Sequence, residues 1–291
     1  MKLTNKFDLP SVFERFESQH VHSTEGAKYS ITKLIDSPKI ARLRKIHQED
    51  SEEDISNRIW AILGTAVHNI LEMGADGNHV VEERLHGLIN NVSIRGQIDL
   101  QTIHPDGTIT ISDYKTIRAF SLQANPEGKE DWIRQINGYS ALASLNDLNV
   151  RAVEVIAIVR DWFPGGVERF DDYPVAPVVR VPLPLWSTEK SIQYLEERVA
   201  AHESEETSDC TFEEMWAKAA VYAVHEQTKN GTLRKRATRL FDSRTDAEIF
   251  SLDLNKAQVI ERPRTFSRCE GNYCNVAEHC DQYRRILDGN A

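Results

Sequence analysis

The sequence predicts a mixed α/β core followed by a mostly helical C-terminal region. Three observations carry this. Apolar residues recur at helical spacing up to residue 73, three stretches between 80 and 115 alternate with period two, and helical spacing returns over 130–145. The expected organisation is a helical entry segment over 1–50, a core over 51–185, and a helical extension over 186–291 that carries the cysteines.

Residues 1–50 are polar and mixed, with short apolar stretches at 12–16 and 31–35. Ser51 reads as a helix cap, and Glu52, Glu53 and Asp54 suit the positive end of a helix dipole. Ile55, Ile59, Ile62, Leu63, Val67, Ile70 and Leu71 then predict a helix over 52–73. Strands are expected at 80–85, 92–102 and 108–115, the last two joined by the tight-turn sequence His104-Pro105-Asp106-Gly107. Trp132, Ile136, Tyr139 and Leu142 predict a helix over 130–145, and the β-branched run at 152–159 predicts a buried strand. A Pro- and Gly-rich stretch from 162 to 184 holds a short strand at 178–181, and helices are expected at 187–203, 211–227 and 244–257.

The chain has 291 residues, 40% of them hydrophobic, and a net charge of −10. No apolar run approaches the ~20 residues of a membrane span, and the N-terminus lacks the apolar core of a secretion signal. A cytoplasmic protein without a membrane partner is expected. The negative balance argues against a nucleic-acid partner on charge alone. Lys229, Arg234, Lys235, Arg236 and Arg239 nonetheless form a local basic patch, which describes either a nucleic-acid contact or a solvated helix face, the latter favoured on charge alone. No G-x-x-x-x-G-K-[ST] phosphate loop is present, so the chain has no motor of its own and acts alone or beside a separate helicase or recombinase.

The strongest local signal is Gly96-Gln97-Ile98-Asp99 followed by Asp113-Tyr114-Lys115-Thr116. Asp113 and Lys115 share one strand face, because side chains two apart point the same way. Antiparallel pairing across the turn brings Asp99 near Asp113. Two converging carboxylates make a hard oxygen site for Mg2+ or Mn2+, and a neighbouring lysine orients or deprotonates a water and stabilises charge on a phosphate. Alone, Asp-x-Lys is better read as a solvent-facing charge pair on an exposed strand face.

The wider context is more specific. Gly64-x-x-x-His68-x-x-Leu71-Glu72, then Gly96-x-x-Asp99, then Asp113-Tyr114-Lys115-Thr116, then Gln135-x-x-x-Tyr139 follow one another in order, after Ser30-Ile31-Thr32-Lys33-Leu34 and Ser37-Pro38. This series resembles the RecB-type branch of the PD-(D/E)XK nuclease superfamily, phage exonucleases included, over about residues 30–160. The resemblance implies a restriction-endonuclease-like α/β core, a mixed central sheet flanked by helices, that hydrolyses phosphodiester bonds in DNA, with 5′-phosphate and 3′-hydroxyl products. It implies metal ligation by His68, Asp99, Asp113 and the Tyr114 carbonyl, catalysis by Lys115, and support from Gln135 and Tyr139. It implies a role in recombination, repair or phage DNA processing, and exonuclease action. Glu72 and Glu83 read either as acids that support the metal ligands from behind or as solvated charges, the latter favoured. The reading from another class is a non-catalytic DNA-binding scaffold that keeps the fold, which lost acids or a lost lysine would favour.

Cys210, Cys269, Cys274 and Cys280 complete the chemistry. The block Cys269-x4-Cys274-x5-Cys280 is similar to the C-terminal cysteine block of iron–sulfur nucleases in this branch. It departs from them in lacking a leading C-x2-C and in having its fourth cysteine after the core. Soft thiolates suit a [4Fe-4S] cluster or a structural Zn2+, with His279 able to replace one cysteine. Unligated thiols in a reducing cytosol are the third option.

Overall fold

The computed structural model describes residues 2–19, 26–50, 52–254 and 256–289. The chain forms two compact units. The first comprises 1–41 and 52–207, the second 42–51 and 208–291. The expected boundary at 185/186 is therefore displaced, and the segment to Thr207 belongs with the first unit.

The first unit opens with β1 (Lys2–Thr4), α1 (Val12–Gln19), β2 (Tyr29–Ser30) and α2 (Ile31–Leu34), and α3 (Pro38–Ile46) follows. Next come β3 (Glu52–Asp54), a 3-10 turn over Ile55–Arg58 and α4 (Ile59–Glu72). The expected helix over 52–73 thus starts seven residues late. Glu52–Asp54 pair in parallel with Lys2–Thr4, a non-local contact. The capping acid is Asp54, whose side chain accepts from the Ser56 N–H at 3.1 Å. The expected cap at Ser51 lies outside the described residues.

β4 (His79–Ile89), β5 (Val92–Ile103) and β6 (Ile109–Ile117) form the expected antiparallel meander. After α5 (Ala119–Ala124) and α6 (Glu130–Leu145), β7 (Val150–Val159) returns parallel to β6. Beyond α7 (Pro164–Arg169), β8 (Val178–Leu183) pairs antiparallel with β7, and α8 (Thr188–Glu203) follows. The mixed sheet runs β2-β5-β6-β7-β8, with β4 also on β5. It is a mixed α/β architecture flanked by helices. Ile94, Ile98, Ile111, Val153, Val155 and Ala157 supply the sheet's share of the core. Ile31, Leu34, Ile136, Leu142, Leu195 and Val199 supply that of α2, α6 and α8. Each fully buried Ile or Leu contributes about 1.5–3 kcal/mol.

One discontinuity in this sheet positions the site. β5 pairs with β2 at Ile94 and Arg95, then with β6 from Leu100 onward. Between them, Gly96–Asp99 have no ladder on that side. α6 leans in there: a Cβ on Gly96 would lie 2.8 Å from both Leu142 and Tyr139, so only glycine permits the approach.

The second unit departs from the helical expectation. The helix expected at 211–227 is absent. In its place stand β9 (Ala217–Lys218) and β10 (Val221–Glu226), followed by β11 (Arg239–Phe241), α9 (Arg244–Leu252), β12 (Ala257–Arg262), β13 (Thr265–Phe266), α10 (Ser267–Glu270) and α11 (Asp281–Leu287). β10 lies between β11 and β12, and β9 pairs with β13. The Ala-rich run 217–223 suits a helix locally, but six ladder pairs from Val221 to Glu226 with β12 override that preference. The segment 42–51 joins this unit through Arg44, which donates to Asn275 at 2.9 Å, and His47, stacked on His279 at 3.8 Å.

Candidate functional site

The site forms where β5 and β6 part. Their ladder ends at Leu100↔Ser112, and the same register would set Asp99 opposite Asp113. Instead Asp99 Oδ2 accepts the Tyr114 N–H at 2.8 Å, taking the place of a backbone carbonyl across the fork. On the other side of β5, the tight turn Asn90-Asn91 has φ of 50° and 61°, the left-handed pair of a type I′ hairpin. That turn sets a register in which Glu82 falls opposite Asp99. The flanking pairs Val81↔Leu100 and Glu83↔Ile98 form, but Glu82 itself has φ 51° and leaves the ladder. A left-handed glutamate inside a strand stores on the order of 1–3 kcal/mol of strain.

That strain accompanies a cluster. His68, on α4, has Nδ1 3.5 Å from both Glu82 Oε1 and Asp99 Oδ1. One ligand atom from each of His68, Glu82 and Asp99 lies within 4.8 Å of the others. Gln97 donates its amide to the second oxygen of Glu82, and the edge of the Tyr114 ring meets the His68 ring at 5.7 Å between centroids. Beside the cluster, Lys115 Nζ lies 2.7 Å from Asp113 Oδ2 and donates to Gln135 Oε1 at 2.9 Å. The Gln135 amide nitrogen donates to Asp113 Oδ1 at 3.1 Å and to the Tyr139 hydroxyl at 2.8 Å. Gln135 and Tyr139, one turn apart on α6, thus hold the acid and the lysine together.

The electrostatics follow from burial of several acids at once. Burial first, then the neighbouring Asp113 carboxylate, push the Asp99 carboxyl up to about 7. The hydrogen bond with Glu82 raises the His68 imidazole above its ordinary range, and the same bond holds Glu82 below the usual carboxylate range. Burial acts to lower the Lys115 ammonium, but Asp113, with Asp99 and Asp131 behind it, raises it overall, so Lys115 carries its proton. Asp113 Oδ2 is buried and, despite the nearby ammonium, makes no well-directed hydrogen bond. Oxygen-rich donors, one imidazole and unbalanced buried negative charge fit a hard divalent cation.

The structure brings together His68, Asp99, Asp113, Lys115, Gln135 and Tyr139. Their grouping differs from the expectation in one respect. Glu82, not Asp113, completes the ligand group with His68 and Asp99, while Asp113 is engaged by Lys115 and Gln135. At Tyr114 the N–H serves Asp99. Glu82 was missed by sequence reasoning, which weighed Glu83. Glu83 accepts from the Gln101 amide, and Glu72 is exposed. Asn90-Asn91 was the available signal, since a two-residue turn there fixes which glutamate faces Asp99.

The cysteines form no comparable ligand group. Among the described residues, no three of their sulfurs lie within 4.8 Å of one another. Cys210, Cys274 and Cys280 are buried, Cys269 half-buried, and none is in a disulfide. Burial, then the thiols of Cys274, Cys210 and Cys280, push the Cys269 thiol up to about 12. The basic patch from Lys229 to Arg239 is largely exposed; Arg234 pairs with Glu226 at 3.2 Å.

No protein-family model matches this chain, and no curated protein matches it. Among solved structures that do, one titled "Crystal structure of SSO0001" is 20% identical, with a TM-score of 0.44, covering 67% of this chain and 84% of that chain. No helix among the described residues is long and apolar enough to cross a membrane.

Proposed function

We propose that the first unit is a PD-(D/E)XK-type core and that the protein is a divalent-cation-dependent DNA nuclease, acting as an exonuclease. The observation that carries this is the contact of Lys115 with Asp113 directly beside the His68, Glu82 and Asp99 group. A carboxylate cluster alone describes a cation site. A cation site abutting a charged, oriented lysine describes a place for a phosphate under attack.

His68, Glu82 and Asp99 would hold Mg2+ or Mn2+, with Asp113 at its margin. Such an ion, when bound, neutralises a phosphate and lowers the pKa of a water. The chain's own groups do the rest. Lys115, protonated and aimed by Asp113 and Gln135, donates to a non-bridging phosphate oxygen and stabilises charge that builds there. Gln135 keeps the ammonium from rotating away, and Tyr139 fixes Gln135. Asp99, held by the Tyr114 N–H, keeps one oxygen turned towards His68.

Digestion of end-labelled linear and circular DNA with Mg2+, Mn2+ or EDTA tests the reading. Linear DNA is expected to be degraded from its ends only with the cation. Lys115→Ala and Asp113→Ala are each expected to lose at least about a hundredfold in rate while the far-UV spectrum is kept. Undiminished cleavage by either clean variant refutes the assignment.

For the cysteines we propose a [4Fe-4S] cluster within the second unit. What supports it is the cysteine block Cys269-x4-Cys274-x5-Cys280 together with Cys210, all four of them free thiols and three of them buried. A brown preparation absorbing near ~400 nm, colourless as Cys274→Ala, is the expected result; stoichiometric zinc in a colourless protein reverses it.

A further inference from the structure

Beyond Lys115, the parallel strands β6 and β7 end side by side at Ile117↔Val159. Each is followed by an arginine, Arg118 and Arg160. The Arg160 N–H donates to the Ile117 carbonyl at 2.9 Å, and the Ala119 N–H donates to Asp161 at 2.7 Å, so both loops start from fixed points. Both arginines are exposed, and neither has an ion-pair partner among the described residues. The Arg160 guanidinium lies 3.6 Å from the centroid of the Trp60 indole, in the first turn of α4. Trp60 nonetheless stays 53% exposed, and Phe120, two residues after Arg118, is 74% exposed.

These features sit close to the proposed chemistry. Arg118 is about 10 Å along β6 from Lys115. Trp60 is about 12 Å along α4 from His68. Two unpaired cations at the carboxyl ends of adjacent parallel strands lie where open α/β sheets take their ligands. A tryptophan that a guanidinium holds on one face, and that stays half exposed, offers a flat surface already fixed in orientation.

We propose that Trp60, Arg118 and Arg160 form a subsite for an unpaired stretch of the DNA strand flanking the cleaved phosphate. The guanidiniums take its phosphates, and one base stacks on the indole face away from Arg160. The proposal rests on the nuclease reading and names its substrate as a single strand, or an end that frays into one. Phosphate contacts supply grip without sequence choice, and every base has a π-face, so stacking tolerates any sequence.

The test is the anisotropy of a fluorescein-labelled oligodeoxythymidine titrated with the full-length protein in EDTA, so that no cleavage is needed. Trp60→Ala is expected to weaken binding roughly tenfold, and Trp60→Phe to recover most of that loss. Arg118→Ala and Arg160→Ala are each expected to reduce the slope of log affinity against log salt by roughly 0.7. Unchanged affinity and slope in all three alanine variants overturn the subsite, as does an equal loss for Trp60→Ala on a blunt duplex. Cleavage by a protein whose binding ignores these variants leaves the nuclease reading standing and removes this one. Binding that depends on them in a protein that never cleaves does the reverse.

Discussion

Asp99→Asn is expected to stabilise the cation-free protein, increasingly as pH rises. The substitution keeps an oxygen for the Tyr114 N–H and removes the ionisation. In the native fold the Asp99 carboxyl is raised from 3.8 to about 7, chiefly by burial. At about 1.4 kcal/mol per pK unit, its charged form costs the fold about 4 kcal/mol. Because the folded pKa is raised, this stability is whole below pH ~4 and is lost as pH climbs through ~7. The variant therefore matches the native protein in acid and exceeds it above pH 8. Between pH 5 and 8.5 the gap should widen by about 2–3 kcal/mol, or roughly 5–10 °C in Tm for a unit of this size. Differential scanning fluorimetry in EDTA across that range measures it. Adding Mn2+ at pH 8 should raise the Tm of the native protein and leave the variant nearly unmoved. A Tm difference that stays flat with pH, or a variant that responds fully to Mn2+, refutes the reasoning.

Three further outcomes are expected. Glu82→Gln should weaken Mn2+ affinity by at least about tenfold, read by calorimetry, because it removes a charged member of the ligand group. Gly96→Ala should destabilise the first unit by about 1–3 kcal/mol in denaturant titration, since its Cβ would meet Leu142 and Tyr139 at 2.8 Å. Gln135→Leu should leave the fold intact but slow cleavage by about tenfold or more, because it frees Lys115 from its second acceptor.

The core of the first unit was legible because its signals are local. The helix expected at 130–145 occurs as Glu130–Leu145, and the meander falls within a few residues of its expected bounds. Asp113 and Lys115 were legible for the same reason, as strand parity places them on one face. What escaped depends on partners far away in sequence. Glu52–Asp54 look like the acidic first turn of a helix until Lys2–Thr4 pair with them. Residues 221–226 look helical until Ala257–Arg262 arrive alongside. Glu82 is intermediate: its selection over Glu83 is encoded nearby, but through the dihedral preference of two asparagines rather than through hydrophobic pattern.

That hairpin has a consequence for how this protein can drift. Surface turns usually absorb insertions freely. One extra residue between Asn90 and Asn91 would have to be taken up as a three-residue loop with a bulge, or else slip the two strands by a single step, and a slip of one exchanges the faces of a strand. A different side chain would then meet Asp99 and His68. Leu85 and Ile89, buried on β4, would turn out of the core by the same step, so the length of an exposed two-residue turn governs both the packing beneath it and which acid meets Asp99.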